Sequence, residues 1–180
     1  MNGMSASLDV FEAIKERRSI RLFTAGVVSD EAVKQLIDVA RYAPSAGNTQ
    51  PLELVVVRDQ KIKQLLTLAA LNQMFIQKAP VVFVVSADIT RSRMHYGGRG
   101  KKLYSIQDTA AATENILLAA HELGLATCWI GAFHEKAVAN AIKAPKNTRP
   151  VAIIPVGHPA EKPSAPKRRA VDDFVHYETF

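Results

Sequence analysis

Arg17-Arg18-Ser19-Ile20-Arg21 is the stretch whose residue types and spacing most readily do chemistry. Two guanidiniums four positions apart, with a hydroxyl between them, can converge on a phosphate through charge-assisted, bidentate hydrogen bonds. The same bases at the end of a helix would also complement its dipole. The usual catalytic constellations are missing. His95, His121, His134, His158 and His176 show no zinc-ligand spacing, and there is no HExxH or EF-hand loop, so no metal is expected. No GxSxG elbow occurs, and Ser164-Ala165-Pro166-Lys167 matches SxxK only inside a proline-rich stretch. Gly97-Gly98-Arg99-Gly100 is neither a dinucleotide fingerprint nor a Walker loop and reads as a surface loop. The lone Cys128 reads as a buried thiol in a strand. With no side chain marked as catalytic, the chemistry points to a bound cofactor.

The elements that must position these residues alternate along the chain. Apolar residues Leu8, Phe11 and Ile14, three apart after Ser7, predict a helix with Ser7 as N-cap and the bases Lys15, Arg17 and Arg18 at its end. A second helix follows Ser29, with Asp30 and Glu31 in its first turn and Pro44 closing it. Residues 45–51 read as a loop. Leu52 to Val57 and Val81 to Ser86 are short β-branched runs that suit buried strands, with helix between them. The stretch 103–123 predicts a long helix ended by Gly124, apolar nearly all round and so covered on both sides, one cover being available from a partner subunit. Ala126 to Ala132 and Val151 to Val156 read as strands around a helix from Glu135 to Lys143; Trp129 reads as a core aromatic, and Pro155 suggests an edge strand or a bulge. The pattern is one mixed α/β or α+β domain over residues 1–180. Residues 159–169 form a Pro-rich basic arm, and 171–180 are expected to be a terminal strand reaching a partner.

Composition sets the frame. A chain of 180 residues with 48% hydrophobic and 22% charged residues is ordinary globular material, not a fibre or a disordered chain. One cysteine, no signal-like start and no apolar run of about 20 residues point to a cytoplasmic protein. Lys and Arg number 23 against 17 acids, a net charge of +6. More than half of those bases lie in three clusters: 15–21, 91–102 and 162–169. No recognition module or interleaving of basic and aromatic residues supports nucleic acid as the partner. A membrane partner is not expected either.

The chain resembles the nitroreductase family of FMN-dependent oxidoreductases. Four segments carry the resemblance in order: Arg17 to Arg21, Ala43 to Pro51 (APSAGNTQP), Ala126 to Gly131, and Lys167-Arg168-Arg169. It implies a three-layer fold with a central mixed, mainly antiparallel sheet flanked by helices, and a homodimer with FMN at its interface. It implies NADH or NADPH as donor, with a nitroaromatic, quinone or related small molecule as acceptor, the alternative within the resemblance being a flavin-binding relative with a different redox substrate, of flavin reductase or dehalogenase type. Carried over by position, Arg17, Ser19 and Arg21, with the adjoining Arg18, lie at the FMN phosphate and ribityl chain. Lys167 and Arg169 reach the same phosphate, Arg168 being the alternative register. Pro44, Ser45, Ala46, Gly47 and Asn48 lie against the ring of the other subunit's flavin, and Asn48 and Gln50 suit its polar edge. Gly131 offers its backbone N–H near the reactive nitrogen. Ile130 stands where family members often carry Glu, so only a backbone role transfers there. The 91–102 cluster falls over the expected entrance.

Overall fold

The computed structural model describes residues 9–180, so the expected N-cap Ser7 lies outside the described residues. Helix α1 (Val10–Glu16) is capped by Asp9, whose carboxylate accepts the Phe11 N–H at 3.1 Å, an interaction that stabilises a helix start by about 1 kcal/mol. Helix α2 (Asp30–Ala40) starts at Ser29 as its spacing predicts, with the Ser29 hydroxyl accepting the Ala32 N–H. Strands β1 (Leu52–Val57) and β2 (Val81–Asp88) flank helices α3 (Gln60–Ala69) and α4 (Phe75–Lys78). Helices α5 (Ile89–Arg99) and α6 (Ser105–Glu122) follow, joined by one wider π-type turn at Gly100–Tyr104. Strand β3 (Ala126–Thr127), helix α7 (Glu135–Ala141) and strand β4 (Thr148–Gly157) complete the frame.

The strands form one antiparallel sheet in the order β1-β2-β4-β3. Alternation along β2 builds the three layers. Val81, Phe83 and Val85 pack with α2 and α6 through Leu36, Ala112, Ile116 and Leu117. Val82 and Val84 pack on the other face with Leu66, Ile76 and Val138. Phe83, Leu36, Leu66 and Ile116 are fully buried, each burial contributing about 1.5–3 kcal/mol relative to exposure. The segment after α1 adds a parallel bridge, Ser19 to Thr127, and makes the sheet mixed.

Two expectations change. Strand β4 is not an edge; it lies between β2 and β3. Ile130 and Ile153 exchange both backbone hydrogen bonds, so Ile153, and by alternation Pro155, faces the β3 side. There β3 stops at Thr127 and pairing resumes only at Ile130, so the missing N–H of Pro155 falls at a gap in the ladder. The 97–100 glycines are not a free loop. Gly97, with φ +53°, reverses α5, and buried Gly100 presses on the Ser92 carbonyl so closely that a Cβ has no room. Within the single chain, residues 171–180 hold a 3-10 turn at Val171–Asp173 followed by irregular backbone.

Candidate functional site

Beyond Arg17, which caps α1, the backbone becomes extended, and Ile20 donates its N–H to the Thr127 carbonyl at 2.9 Å. Side chains two apart on an extended segment share a face, so Arg17, Ser19 and Arg21 point the same way. All three act on one buried atom, the Cys128 thiol. Burial pushes that thiol up, while Arg21, the Ser19 hydroxyl and Arg17 oppose the shift. The Cys128 expectation of a buried thiol is met. Glu161, from the start of the proline-rich arm, accepts the N–H groups of Arg21 and Leu22 at 2.6 and 3.0 Å and clamps the segment against 158–161. The arm answers this with two more main-chain bonds, Thr24 N–H to the His158 carbonyl and Ala160 N–H to the Leu22 carbonyl.

At the Arg17 end, Glu114 of α6 stands 3.8 Å from the guanidinium, a loose pair that leaves most of the charge for another anion. A cleft of about 510 Å³ opens there, lined by Arg17, Arg18, Thr127, His121, Glu161 and Lys162. The His121 Nε2 on its wall is buried with no partner. At the other end, Ile130 is buried and its backbone is spent on Ile153. Gly131 is exposed, and a Cβ there would meet only the Trp129 Nε1 at 4.0 Å, so a flat group has room to approach the backbone. Trp129 is 36% exposed rather than a core aromatic.

The 44–50 loop is built elsewhere on the same chain. Gly47, Asn48 and Gln50 all adopt positive φ, at 55°, 56° and 49°. Such a backbone persists only where its surroundings hold it. Asp108 Oδ1 accepts the Ala46 N–H at 3.1 Å, Arg91 Nε donates to the Thr49 carbonyl at 2.9 Å, and Ser45 Oγ accepts the Gln50 N–H. Gln50 Nε2 donates to Asn48 Oδ1, and the Tyr96 hydroxyl fills the space in front of Gly47. Burial pushes the Asp108 carboxyl up, the Ala46 hydrogen bond opposing it, and Oδ2 is buried without a partner. Pro44, Ser45 and Gln50 border a second, smaller cleft with Asp108 and Arg91.

The two parts hang on different faces of α6. Asp108 holds the loop, and Asn115, seven residues on, holds the Val39 carbonyl of α2. Glu114 and His121, also seven apart, face the Arg17 segment and its cleft. On an ideal helix, residues seven apart share a face, whereas Asp108 and Glu114 differ by about 9 Å of rise and roughly a third of a turn. Of the third predicted group, Arg169 donates to the Asp173 carbonyl and lies over Phe174, and Lys167 and Arg168 are exposed. Glu161, Glu114 and Asp108 carried no signal in sequence, because each acts on backbone or on partners far along the chain.

An edge segment with two arginines and a serine thus runs beside β3 on a four-stranded antiparallel sheet flanked by helices. The Nitroreductase family model matches residues 14–78 and 61–158. A Methanothermobacter thermautotrophicus protein named as a candidate NADH dehydrogenase/NAD(P)H nitroreductase is 31% identical, over 99% of this chain and 91% of its own. An FMN reductase [NAD(P)H] of Bacillus subtilis is 30% identical, over 96% of this chain and 74% of its own. Among solved structures, the NADPH:FMN oxidoreductase of Vibrio harveyi complexed with NAD+ superposes with a TM-score of 0.87 at 26% identity, covering 95% of this chain and 77% of that one. The chain belongs to the nitroreductase family.

Proposed function

We propose that the chain is an FMN-dependent oxidoreductase that takes hydride from NAD(P)H and reduces a nitroaromatic, quinone or related small acceptor, with donor and acceptor occupying one site in turn. Membership of a family whose relatives are named as FMN reductases and NAD(P)H nitroreductases supports this reading. The donor set fits the cofactor. Arg17, Ser19 and Arg21 present two cations and a hydroxyl from one face, which suits a phosphate and a polyol chain. Gly131 leaves its backbone open to a flat ring. FMN, when bound, supplies the redox chemistry. The chain's own residues bind and orient it: Arg17, Arg18, Ser19 and Arg21 at the phosphate and ribityl end, and the Gly131 N–H at the ring, where a donor stabilises added negative charge.

The observation that carries the assembly is the placement of the 44–50 loop and the Arg17 segment on different faces of α6. On this reading a second copy supplies the loop to the flavin held by the Arg17 segment. Uncovered apolar residues favour the same dimer: Val10, Phe11 and Ile14 on α1, and Val171, Phe174, Tyr177 and Phe180 at the C-terminus. In that dimer residues 159–169 cross toward the phosphate, bringing Lys167 and Arg169, and 171–180 pair with the partner. Among the described residues no helix is long and apolar enough to cross a membrane; a cytoplasmic dimer suits the single buried thiol.

Visible absorbance of the purified protein tests the cofactor, and anaerobic bleaching by NADH or NADPH tests the reaction. A colourless protein that takes up no FMN overturns the reading. Arg21→Ala should weaken FMN binding about tenfold or more, the loss expected of a hydrogen bond to a charged group, and leave the melting temperature nearly unchanged because Arg21 is exposed.

A further inference from the structure

From Ile89 to Gln107 the chain carries Arg91, Arg93, Arg99, Lys101 and Lys102 and not one acid. The flanking acids are committed, Asp88 to the Thr90 N–H and Asp108 to the Ala46 N–H. Arg91 is used on the Thr49 carbonyl. Among the described residues no ion pair reaches Arg93, Arg99, Lys101 or Lys102. These four charges are therefore uncompensated, and they lie on the segment that packs against the 44–50 loop.

Arg99 differs from the other three because it is held. Its Nε donates to the Tyr104 hydroxyl at 2.9 Å, and its guanidinium lies 5.3 Å from the centroid of the same ring. Tyr104 meets Tyr96 edge to face, with centroids 5.1 Å apart at 84°. Tyr96 in turn rests its hydroxyl on Gly47. A ladder of two aromatic rings thus runs from the loop to an exposed guanidinium. With Nε committed, the two terminal nitrogens are left without acceptors and in a fixed plane, the geometry that grips a phosphate by two parallel hydrogen bonds. A small nitroaromatic or quinone stacked at the loop would not span both rings. A dinucleotide, whose phosphates lie far from its reacting ring, would.

We propose that Arg99 binds a phosphate of the nicotinamide donor, with Tyr104 and Tyr96 as the positioning residues that set its distance from the loop. The inference rests on the loop facing the flavin, as proposed above. Binding energy gathered there, remote from the reacting atoms, orients the donor. Arg93, Lys101 and Lys102 add a positive field that attracts a polyanionic donor from solution and fades as salt screens it.

The test is single-turnover, anaerobic flavin bleaching by the FMN-loaded wild type and by Arg99→Gln, Arg99→Lys and Tyr104→Phe. The donors are NADPH, NADH and 1-benzyl-1,4-dihydronicotinamide, which has no phosphate. In Arg99→Gln the NADPH concentration for half-maximal bleaching should rise about tenfold or more. The limiting rate, FMN affinity and benzyl-donor response should stay at wild-type values. Arg99→Lys should recover part of the loss, since it keeps the charge and loses the fork, and Tyr104→Phe should raise the half-saturation a few-fold. An unchanged NADPH response in Arg99→Gln, or an equal loss with the benzyl donor, overturns the proposal. Wild type that takes up no FMN is recognised before any donor is added, and it refutes the functional reading instead.

Discussion

The 44–50 loop and the 164–180 tail are both expected from sequence to serve one site, yet a single chain treats them oppositely. The loop has three residues at positive φ and is held by Asp108, Arg91, Tyr96 and Ser45. The tail has one 3-10 turn, held from within by Arg169 and Asp173, and exposes Phe174, Tyr177 and Phe180. The loop is ready before any partner arrives, because helices α5 and α6 supply its contacts. The tail pairs with no strand of its own chain, and its large apolar side chains stay exposed. The contrast lies in what holds each region: packed helices for the loop, and only its own short turn for the tail.

Removing residues 171–180 should produce the largest effect. The protomer keeps its core, so its far-ultraviolet spectrum should be retained, while sedimentation shows a lighter species and FMN binding weakens by about two orders of magnitude. A truncated chain that still sediments as a dimer and stays yellow would erase the contrast between loop and tail. Gly47→Ala comes next. The added methyl meets the Tyr96 hydroxyl and must hold φ near 55°, which together should cost about 1–3 kcal/mol and lower turnover about tenfold, with FMN affinity of the Arg17 segment little changed. Equal stability and turnover would mean that the loop is not pinned as described.

Asp108→Asn should have the smallest effect, and its sign depends on pH. The Asp108 carboxyl is pushed up by burial, so the folded state binds its proton more tightly than the unfolded chain does. That contribution is fully present below the unfolded value of about 4 and is lost as pH rises through the higher folded value. Asparagine keeps an acceptor for the Ala46 N–H and carries no charge to desolvate. The variant should therefore melt slightly above wild type at pH 7, by about 1 kcal/mol or less, and the gain should vanish below pH 4. Thermal melts at both pH values read this directly. A variant less stable than wild type at pH 7 would show that the charge itself holds the loop.

What was legible follows from the same physics. The β-branched runs of β1 and β2, the Ser29 cap of α2 and the helix ended by Gly124 are local signals, and each stands where its residues place it. The R-x-S-x-R spacing starts at a helix end, as the sequence suggests, with Arg17 capping α1, and continues on extended backbone beside Thr127. Pro155 misled because the effect of a missing N–H depends on what lies opposite, here a gap between Thr127 and Ile130. The 97–100 glycines misled because permissive residues serve a tight helix reversal as well as a loop. Asp108 and Glu161 were invisible, since bonds to the backbone of distant residues leave no periodicity.

Helix α6 also works as a gauge. The register between Asp108 and Glu114 sets the angle between the loop and the Arg17 segment. One residue inserted between those two positions would swing one relative to the other by about 100° and shift it by about 1.5 Å. Length variation in this chain should therefore be tolerated after Glu122, and rejected between Asp108 and Glu114, where it would turn the loop away from its present angle to the Arg17 segment.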